Sequence, residues 1–275
     1  MKQPITAIIL LLSFLFPLLA GQAGADPQAG REELLAQGAS FFRQANESDD
    51  PEEAHQLYSK ALLRYEKLGR DFENGKLYYN IGNVYFRLDD LGRAIVNYRR
   101  AEQMIPNDPN LRQNLDYALS KRQDRIEPKQ EEELLRTLFF WHYDLPFSVR
   151  TRIFAGFYIL FWLLAGLTYA TPLSIPKWPL ILSLLLTVSL GGSLLLDRSD
   201  RALPRGVLVA PEVIARKGDS TSYHPSFQAP LHPGTEFTIL EDRNTWLHIE
   251  LADGRQCWVV ADSAEKINIP TSSHF

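Results

Sequence analysis

Five side chains are of types and spacings that suit contact with another molecule. Tyr79, Asn80, Asn83 and Phe86 lie close together in a segment with helical periodicity, and Asn114 follows one helix later. Each amide offers N–H donors and a carbonyl acceptor, which are the groups that recognise a peptide backbone. The two aromatic rings can stack on a partner's side chains. The alternative is that Asn80 and Asn83 only satisfy the ends of neighbouring helices.

The residue types that carry catalysis or bind metals are not arranged for either role. Cys257 is the only cysteine, which excludes an intrachain disulfide and a Cys-x-x-Cys motif. The acidic runs at 49–53 and 131–133 fall in loops or at helix starts, where carboxylates favour the helix dipole. We therefore expect no enzymatic activity, no cofactor and no metal. The histidines lack metal-ligand spacing: His55, His142, His224, His232, His248 and His274.

The charge composition argues against nucleic acid as a partner. The chain of 275 residues has 29 basic and 33 acidic side chains, for a formal net charge of −4. Such a mixture produces no large field of one sign to attract a phosphate backbone. The hydrophobic residues are instead concentrated in three dense blocks, which directs attention to a membrane.

The candidate side chains need a scaffold, and a repeat signature supplies one. The spacing matches a tetratricopeptide repeat with a period of roughly 34 residues. In that pattern small residues occupy the crossing of two helices, aromatic rings fill the groove between them, and a proline ends the second helix. The signature residues are Tyr78, Gly82, Tyr85, Ala94, Tyr98, Ala101 and Pro106.

An earlier, weaker copy of the repeat is interrupted by an enlarged loop at 44–53. Leu34, Gly38 and Phe41 lie on its first predicted helix, and Ala54, Tyr58 and Ala61 on its second. A helix with Leu111, Leu115 and Leu119 on one face would cover the last repeat. The sequence thus predicts an all-α tetratricopeptide repeat domain with a capping helix over residues 26–125. Its concave wall would carry the five candidate side chains.

The first 25 residues have the pattern of a secretory signal peptide. Lys2 precedes an apolar run at 8–20, and Ala23 and Ala25 form an A-x-A cleavage signal. An uncleaved membrane anchor is the alternative. Either interpretation exports the helical repeats.

Residues 151–197 are predicted to form a transmembrane helical hairpin, which follows a juxtamembrane linker at 126–150. The runs 153–175 and 178–196 contain no charged residue, and Lys177 lies in the connection between them. Their short connection makes the helices antiparallel, so both polar domains share one compartment. The positive-inside rule disagrees with export, because four arginines flank the hairpin on the domain side: Arg150, Arg152, Arg198 and Arg201. The aromatic stretch of the linker at 134–147 suits either the membrane interface or a partner protein.

Residues 198–275 are predicted to form a small all-β barrel of five strands, at 207–210, 212–216, 235–242, 245–251 and 256–261. The segment WLHIELADGRQCWV predicts a hairpin and resembles a bacterial SH3 domain. We expect Trp246 and Trp258 in its core. The alternative is that Trp246, with Tyr223 or His224, lines a peptide cleft.

The order of these modules, with the repeat segment YYNIGNVYFRLDDLGRAIVNYRRAEQMIPNDPNLRQNLDYA, resembles the BatE proteins of the Bacteroides aerotolerance operons. The resemblance implies a scaffold in the bacterial inner membrane, with both soluble domains in the periplasm. Its implied partners are von Willebrand A-domain membrane proteins, other Bat subunits and, indirectly, a MoxR-type ATPase. The rival hypothesis is a cell-envelope sensor or anchor, in which the SH3-like domain binds peptidoglycan peptides.

Overall fold

The computed structural model describes residues 27–70, 72–127, 135, 137–143, 145, 147–170, 176–200 and 204–267. The predicted signal peptide and its cleavage site lie outside these residues. The described chain contains a stack of helices, a two-helix apolar hairpin and a small antiparallel sheet. Each of these was expected from the sequence at this coarse level.

Five helices form the stack: α1 (Pro27–Glu47), α2 (Pro51–Gly69), α3 (Gly75–Arg87), α4 (Leu91–Met104) and α5 (Pro109–Ser120). Side chains that accept hydrogen bonds from the first backbone N–H groups begin four of them. These capping residues are Asp50, Asn74, Asp90 and Asp108. Consecutive helices pack as antiparallel pairs, as the repeat pattern predicts.

Glycine allows the close helix crossing at the centre of each pair. A Cβ added to Gly82 would lie 2.6 Å from the Tyr98 ring, so only glycine fits at this crossing. The first pair uses the same device, since a Cβ on Gly38 would lie 2.5 Å from Tyr65. Tyr65 therefore fills the groove that Tyr98 fills in the second pair, and Tyr58 lies two turns earlier on α2.

The enlarged loop expected at 44–53 is not formed. α1 continues to Glu47 and α2 begins at Pro51, so the extra residues lengthen the two helices. Asp50 accepts a hydrogen bond from the Glu52 N–H at 3.0 Å, and proline at the first helical position has no N–H that would need an acceptor. The local signals for starting a helix outweigh the polar composition of the segment.

Two long helices, α7 (Phe147–Ala170) and α8 (Trp178–Asp200), follow a short helix α6 (Phe140–Tyr143). Each contains a stretch long and apolar enough to cross a membrane, at Val149–Thr168 and Trp178–Leu196. Small and polar side chains of α8 form the seam between them, and their other faces are apolar and exposed. Buried on this seam are Ser183, Thr187, Leu190 and Ser193.

The five strands are β1 (Arg205–Leu208), β2 (Glu236–Asp242), β3 (Trp246–Leu251), β4 (Gln256–Val260) and β5 (Ala264–Lys266). They form one antiparallel sheet in the order β4-β3-β2-β1-β5. The predicted β3–β4 hairpin is confirmed, with His248 opposite Trp258 and Ile249 opposite Cys257.

A strand predicted at 212–216 is not formed. Val213 and Arg216 make only isolated bridges, within a long loop between β1 and β2. The fifth strand is instead β5, which pairs with β1. Val213 and Ala215 are nevertheless buried in the sheet's core, although the segment that carries them is not a strand.

The helical stack and the sheet are packed against each other. Val207 of β1 and Ile267 after β5 are buried in the same apolar cluster as Ile95 of α4. A Cβ on Gly92 would lie 2.6 Å from the Leu208 carbonyl oxygen, so the backbones of α4 and β1 are nearly in contact. The stack and sheet thus form one unit, which we call the soluble unit.

Candidate protein-binding face

Four of the five candidate side chains meet at the contact between α3 and α5. The Asn114 side-chain N–H groups donate to the Tyr79 hydroxyl at 3.0 Å and to the Asn83 amide oxygen at 2.8 Å. The Tyr98 hydroxyl donates to the same Asn83 oxygen at 2.9 Å. We call Tyr79, Asn83, Phe86, Asn114 and Tyr117 the helical face.

Asn83 therefore joins three helices of the stack. Its carbonyl oxygen accepts from Tyr98 on α4 and from Asn114 on α5, which leaves its own side-chain N–H donors for other contacts. These partners are side chains, so the alternative that Asn83 satisfies a helix end is not what the structure shows. The amide is primarily a structural link.

The Tyr98 hydroxyl at the base of this network stays protonated. Burial is the main cause of its raised pKa, the Tyr79 hydroxyl raises it further, and Arg87 and Asn114 act in the opposite direction. A neutral hydroxyl can donate to Asn83, whereas a phenolate could not. The network is consequently stable across the physiological pH range.

Phe86 and Tyr117 form the accessible part of the helical face. Their ring centroids are 5.6 Å apart, and 53% of Tyr117 is exposed. The Lys121 ammonium lies 5.0 Å from the centre of the Tyr117 ring, which places a positive charge beside the aromatic pair. Sequence reasoning missed Tyr117, although its position one turn after Asn114 on α5 is the signal that could have found it.

Asn80 stands apart from the other candidates. It is half-buried on α3, and among the described residues its side chain makes no hydrogen bond. It does not join the network around Asn83. The structure thus brings together Tyr79, Asn83, Phe86 and Asn114, and leaves Asn80 as a separate polar position.

The repeat-signature residues build the scaffold rather than a binding site. Ala94 and Ala101 are fully buried on α4, and Tyr78 is half-buried against the same core. The Tyr85 hydroxyl donates to the Glu66 carboxylate at 2.5 Å and so links α3 to α2. Pro106 lies in the turn after α4, where the signature predicts a helix end.

The tryptophans expected in the sheet's core are on its outer face. Along β3 and β4 the buried residues alternate with half-buried or exposed ones, and Trp246 and Trp258 belong to the second set. His248 stacks on Trp258 with ring centroids 4.7 Å apart, and the Arg243 guanidinium lies 4.6 Å from the Trp258 ring. The expectation of core tryptophans was wrong, because a strand's alternation places residues 246, 248 and 258 on the same outer side.

The loop before β2 carries an exposed aromatic ring. Tyr223 is 49% exposed and lies over Gly218, where an added Cβ would come within 2.6 Å of the ring. His224 beside it is exposed. The sheet therefore has aromatic side chains available for contact, as the peptide-cleft alternative requires.

Cys257 is buried and unreactive. Its exposed fraction is 2%, and burial raises the pKa of its thiol to about 12, opposed by Arg255 and assisted by Asp253. A protonated thiol is a poor nucleophile. Within the described ranges no group of three or more His, Cys, Asp or Glu side chains is placed to hold a metal ion.

Comparison with known proteins adds no assignment to this geometry. No protein-family model matches the sequence, and no curated protein matches it.

Proposed function

We propose that this chain is a membrane-anchored protein-interaction scaffold of the bacterial cell envelope. The hairpin holds the soluble unit at the inner membrane, and the helical face contacts a segment of a partner protein. The observation that carries the proposal is the ring of Tyr117, exposed beside Lys121 and packed against the half-buried Phe86, on a face whose deeper side chains are already fixed by hydrogen bonds. A rigid aromatic anchor loses little entropy when it binds.

The proposed partners follow from the family resemblance. They are von Willebrand A-domain membrane proteins and other Bat subunits, with a MoxR-type ATPase acting indirectly. A scaffold held at the membrane would raise the local concentration of such partners. Because the stack and the sheet are packed together, the unit would present both its surfaces in one fixed geometry rather than on a flexible tether.

We further propose that the soluble unit is periplasmic, as the predicted signal peptide implies. The arginines around the hairpin favour the opposite orientation by the positive-inside rule, so the orientation needs its own experiment. A reporter enzyme that is active only after export can be fused after residue 127. Activity of this export-dependent reporter supports the proposal. Activity of a reporter that works only in the cytosol, fused at the same site, rejects it for the stack and for the sheet, because the two are packed together.

The binding test uses the helical face. A photo-reactive amino acid at position 117, in membranes of the native host, should cross-link an integral membrane protein with a von Willebrand A domain. Replacing Phe86 with alanine should reduce the yield severalfold, since the ring borders Tyr117. Phe72→Ala is the matched control, because Phe72 is a partly exposed phenylalanine outside this face. Equal yields from both variants would reject the helical face as the binding site.

Asn83 is unsuitable for this test. Removing its side chain would leave the buried Tyr98 hydroxyl without its acceptor, which costs about 1–3 kcal/mol of stability. Loss of binding in such a variant would not separate recognition from folding.

The rival function, binding of peptidoglycan peptides, is favoured by aromatic side chains on the outer face of the sheet and in the loop before β2. Trp246 and Trp258 are half-buried on that face, and Tyr223 of the loop is 49% exposed. A murein pull-down would test it. The whole chain in detergent is used, because an isolated sheet would expose Val207 and Ile267, which are buried against the helical stack. Retention that is lost on replacing Tyr223 with alanine would favour the rival; no retention would reject it.

A further inference from the structure

A groove lies where the end of the helical stack meets the loop before β2. Its volume is about 590 Å³, and its walls are residues 123–126 on one side and 226–231 on the other, with Arg255 at its rim. We call it the junction groove. It shares no residue with the helical face. We propose that the junction groove binds an extended acidic peptide segment of a partner protein.

Unused backbone groups along both walls favour a peptide. Residues 124–127 are irregular, and within the described part of the chain the backbone of 123–127 makes no hydrogen bond. The same holds for the backbone N–H groups of 227–229 across the groove. An extended peptide lying between such walls can pair with them as an added strand pairs with a sheet edge.

The floor of the groove is apolar. Ile126 and Phe227 are partly buried and pack against the core of the sheet, where Leu231 is buried. Pro230 adds a rigid apolar surface beside them. Alternate side chains of an extended peptide point to opposite sides, so one set can contact this floor while the other set reaches the rim.

The charges at the rim favour acidic side chains. Arg125 is exposed and forms no ion pair with another described residue. Arg255 has 52% of its side chain exposed; it pairs with Asp253 and its guanidinium lies 4.5 Å from the Phe227 ring. Both carboxylate oxygens of Asp124, the acidic residue of the walls, are occupied by His232 and Thr235. Of the charged residues that line the groove, Arg125 thus offers an unpaired guanidinium group, and Arg255 offers the guanidinium N–H groups that Asp253 does not use; both suit carboxylates.

The groove exists only because the stack and the sheet are docked. Asp124 holds the 123–127 segment against the loop through hydrogen bonds to His232 and Thr235. A partner bound in the groove would contact both parts of the soluble unit at once. This proposal is independent of the helical face and of any peptidoglycan binding.

The test uses the whole chain in detergent and a terminally blocked hexapeptide of alternating glutamate and valine. Its binding should protect the amides of 123–127 and 227–229 from hydrogen exchange. The Arg125→Glu variant should weaken binding by about tenfold or more, since an attractive charge becomes repulsive. Arg112→Glu, an exposed arginine on α5, is the matched control and should bind as the unaltered chain does.

A second peptide in which lysine replaces glutamate separates charge recognition from general stickiness. It should not bind. The proposal is overturned if millimolar glutamate peptide protects none of these amides, if the lysine peptide binds equally well, or if Arg125→Glu has no effect. A Phe86→Ala variant should leave glutamate-peptide binding unchanged, so failure here is distinguishable from failure of the helical face.

Discussion

Asp124 and His232 are 108 residues apart in sequence, and the His232 ring Nδ1 lies 2.8 Å from an oxygen of the Asp124 carboxylate. The His232 backbone N–H donates to the other oxygen at 2.6 Å, and the Thr235 hydroxyl donates to it at 2.8 Å. One carboxylate at the end of the helical stack thus collects three hydrogen bonds from the loop before β2. This contact, with the ion pairs of Glu236 to Arg99 and Arg122, joins the two parts of the soluble unit.

The Asp124 contact predicts a sensitivity to acid. Burial raises the pKa of Asp124, but the hydrogen bonds from His232 and Thr235 outweigh this effect and lower it overall. A lowered folded-state pKa means that the stabilisation is fully present above the unfolded value of about 4 and is lost as the pH falls through the folded value. We expect the docking of stack and sheet to be constant above about pH 5 and to weaken below pH 4.

Hydrogen exchange of the β1 amides as a function of pH measures this docking. In the Asp124→Asn variant, the docking should no longer weaken as the pH falls below 4. The variant should also be less stable at neutral pH by about 1–3 kcal/mol. Asp116→Asn, at an exposed position on α5, is the control and should behave as the unaltered chain does. Docking that weakened between pH 7 and 5 would contradict the assignment to Asp124.

The Gly92→Ala substitution tests how closely α4 and β1 pack, without changing any charge. An added Cβ would lie 2.6 Å from the Leu208 carbonyl oxygen and 2.8 Å from the Val209 Cα, which are backbone atoms that cannot rotate away. Gly92→Ala should therefore destabilise the contact by about 1–3 kcal/mol, even though alanine favours a helix. Denaturant unfolding followed by tryptophan fluorescence would report it, because the sheet carries Trp246 and Trp258.

Gly69→Ala provides the comparison for Gly92. Its added Cβ would meet the nearest side chains at 3.8 Å, which is an ordinary contact distance. That variant should change the free energy of unfolding by less than about 1 kcal/mol. Similar effects at the two positions would contradict the close approach of α4 and β1.

Gly82 tests the helix crossing in the repeat. A methyl group there would meet the Tyr98 ring at 2.6 Å and displace the hydroxyl that donates to Asn83. We expect Gly82→Ala to cost about 1–3 kcal/mol of stability, measured by urea unfolding. Gly30→Ala on α1 has open space around the new Cβ and should be neutral or slightly stabilising.

Cys257 predicts a slow thiol reaction. Because burial raises the thiol pKa to about 12, iodoacetamide at pH 8 should label the folded chain far more slowly than the chain in urea. A cysteine placed at exposed Ser222 in a Cys257→Ser chain is the control and should react rapidly. Fast labelling of Cys257 under native conditions would show that the β3–β4 hairpin opens readily.

Elements that depend on local pattern could be predicted from the sequence. The helical pair of α3 and α4 follows from small residues and rings at fixed offsets, and Gly82 lies against the Tyr98 ring. The β3–β4 hairpin follows from strand alternation around the Asp253–Gly254 turn, where Gly254 has a φ of 79°. The two apolar helices follow from length and composition. In each case, residues close in sequence decide the outcome.

The face of a strand or helix on which a given side chain lies was less predictable from the sequence. Alternation along β3 shows that Trp246 and Leu247 face opposite sides, but hydrophobicity alone made the larger ring the better core candidate. The smaller Leu247, Ile249 and Val259 fill the core instead. In the first helical pair, the ring that meets Gly38 is Tyr65, a residue that the sequence pattern did not single out.

The sequence by itself determined the paired helices, the two apolar helices and the strand hairpin, because short-range sterics and periodic hydrophobicity dictate them. Only the tertiary structure decided that the stack and the sheet form one unit, that Asn83 links three helices, and that a groove opens beside Asp124. Those features depend on contacts between residues far apart in the sequence, from Asn83 with Asn114, 31 positions apart, to Arg99 with Glu236, 137 positions apart. The residues next to either partner in the sequence do not predict such a contact, because it forms only when two distant surfaces pack together and exclude water.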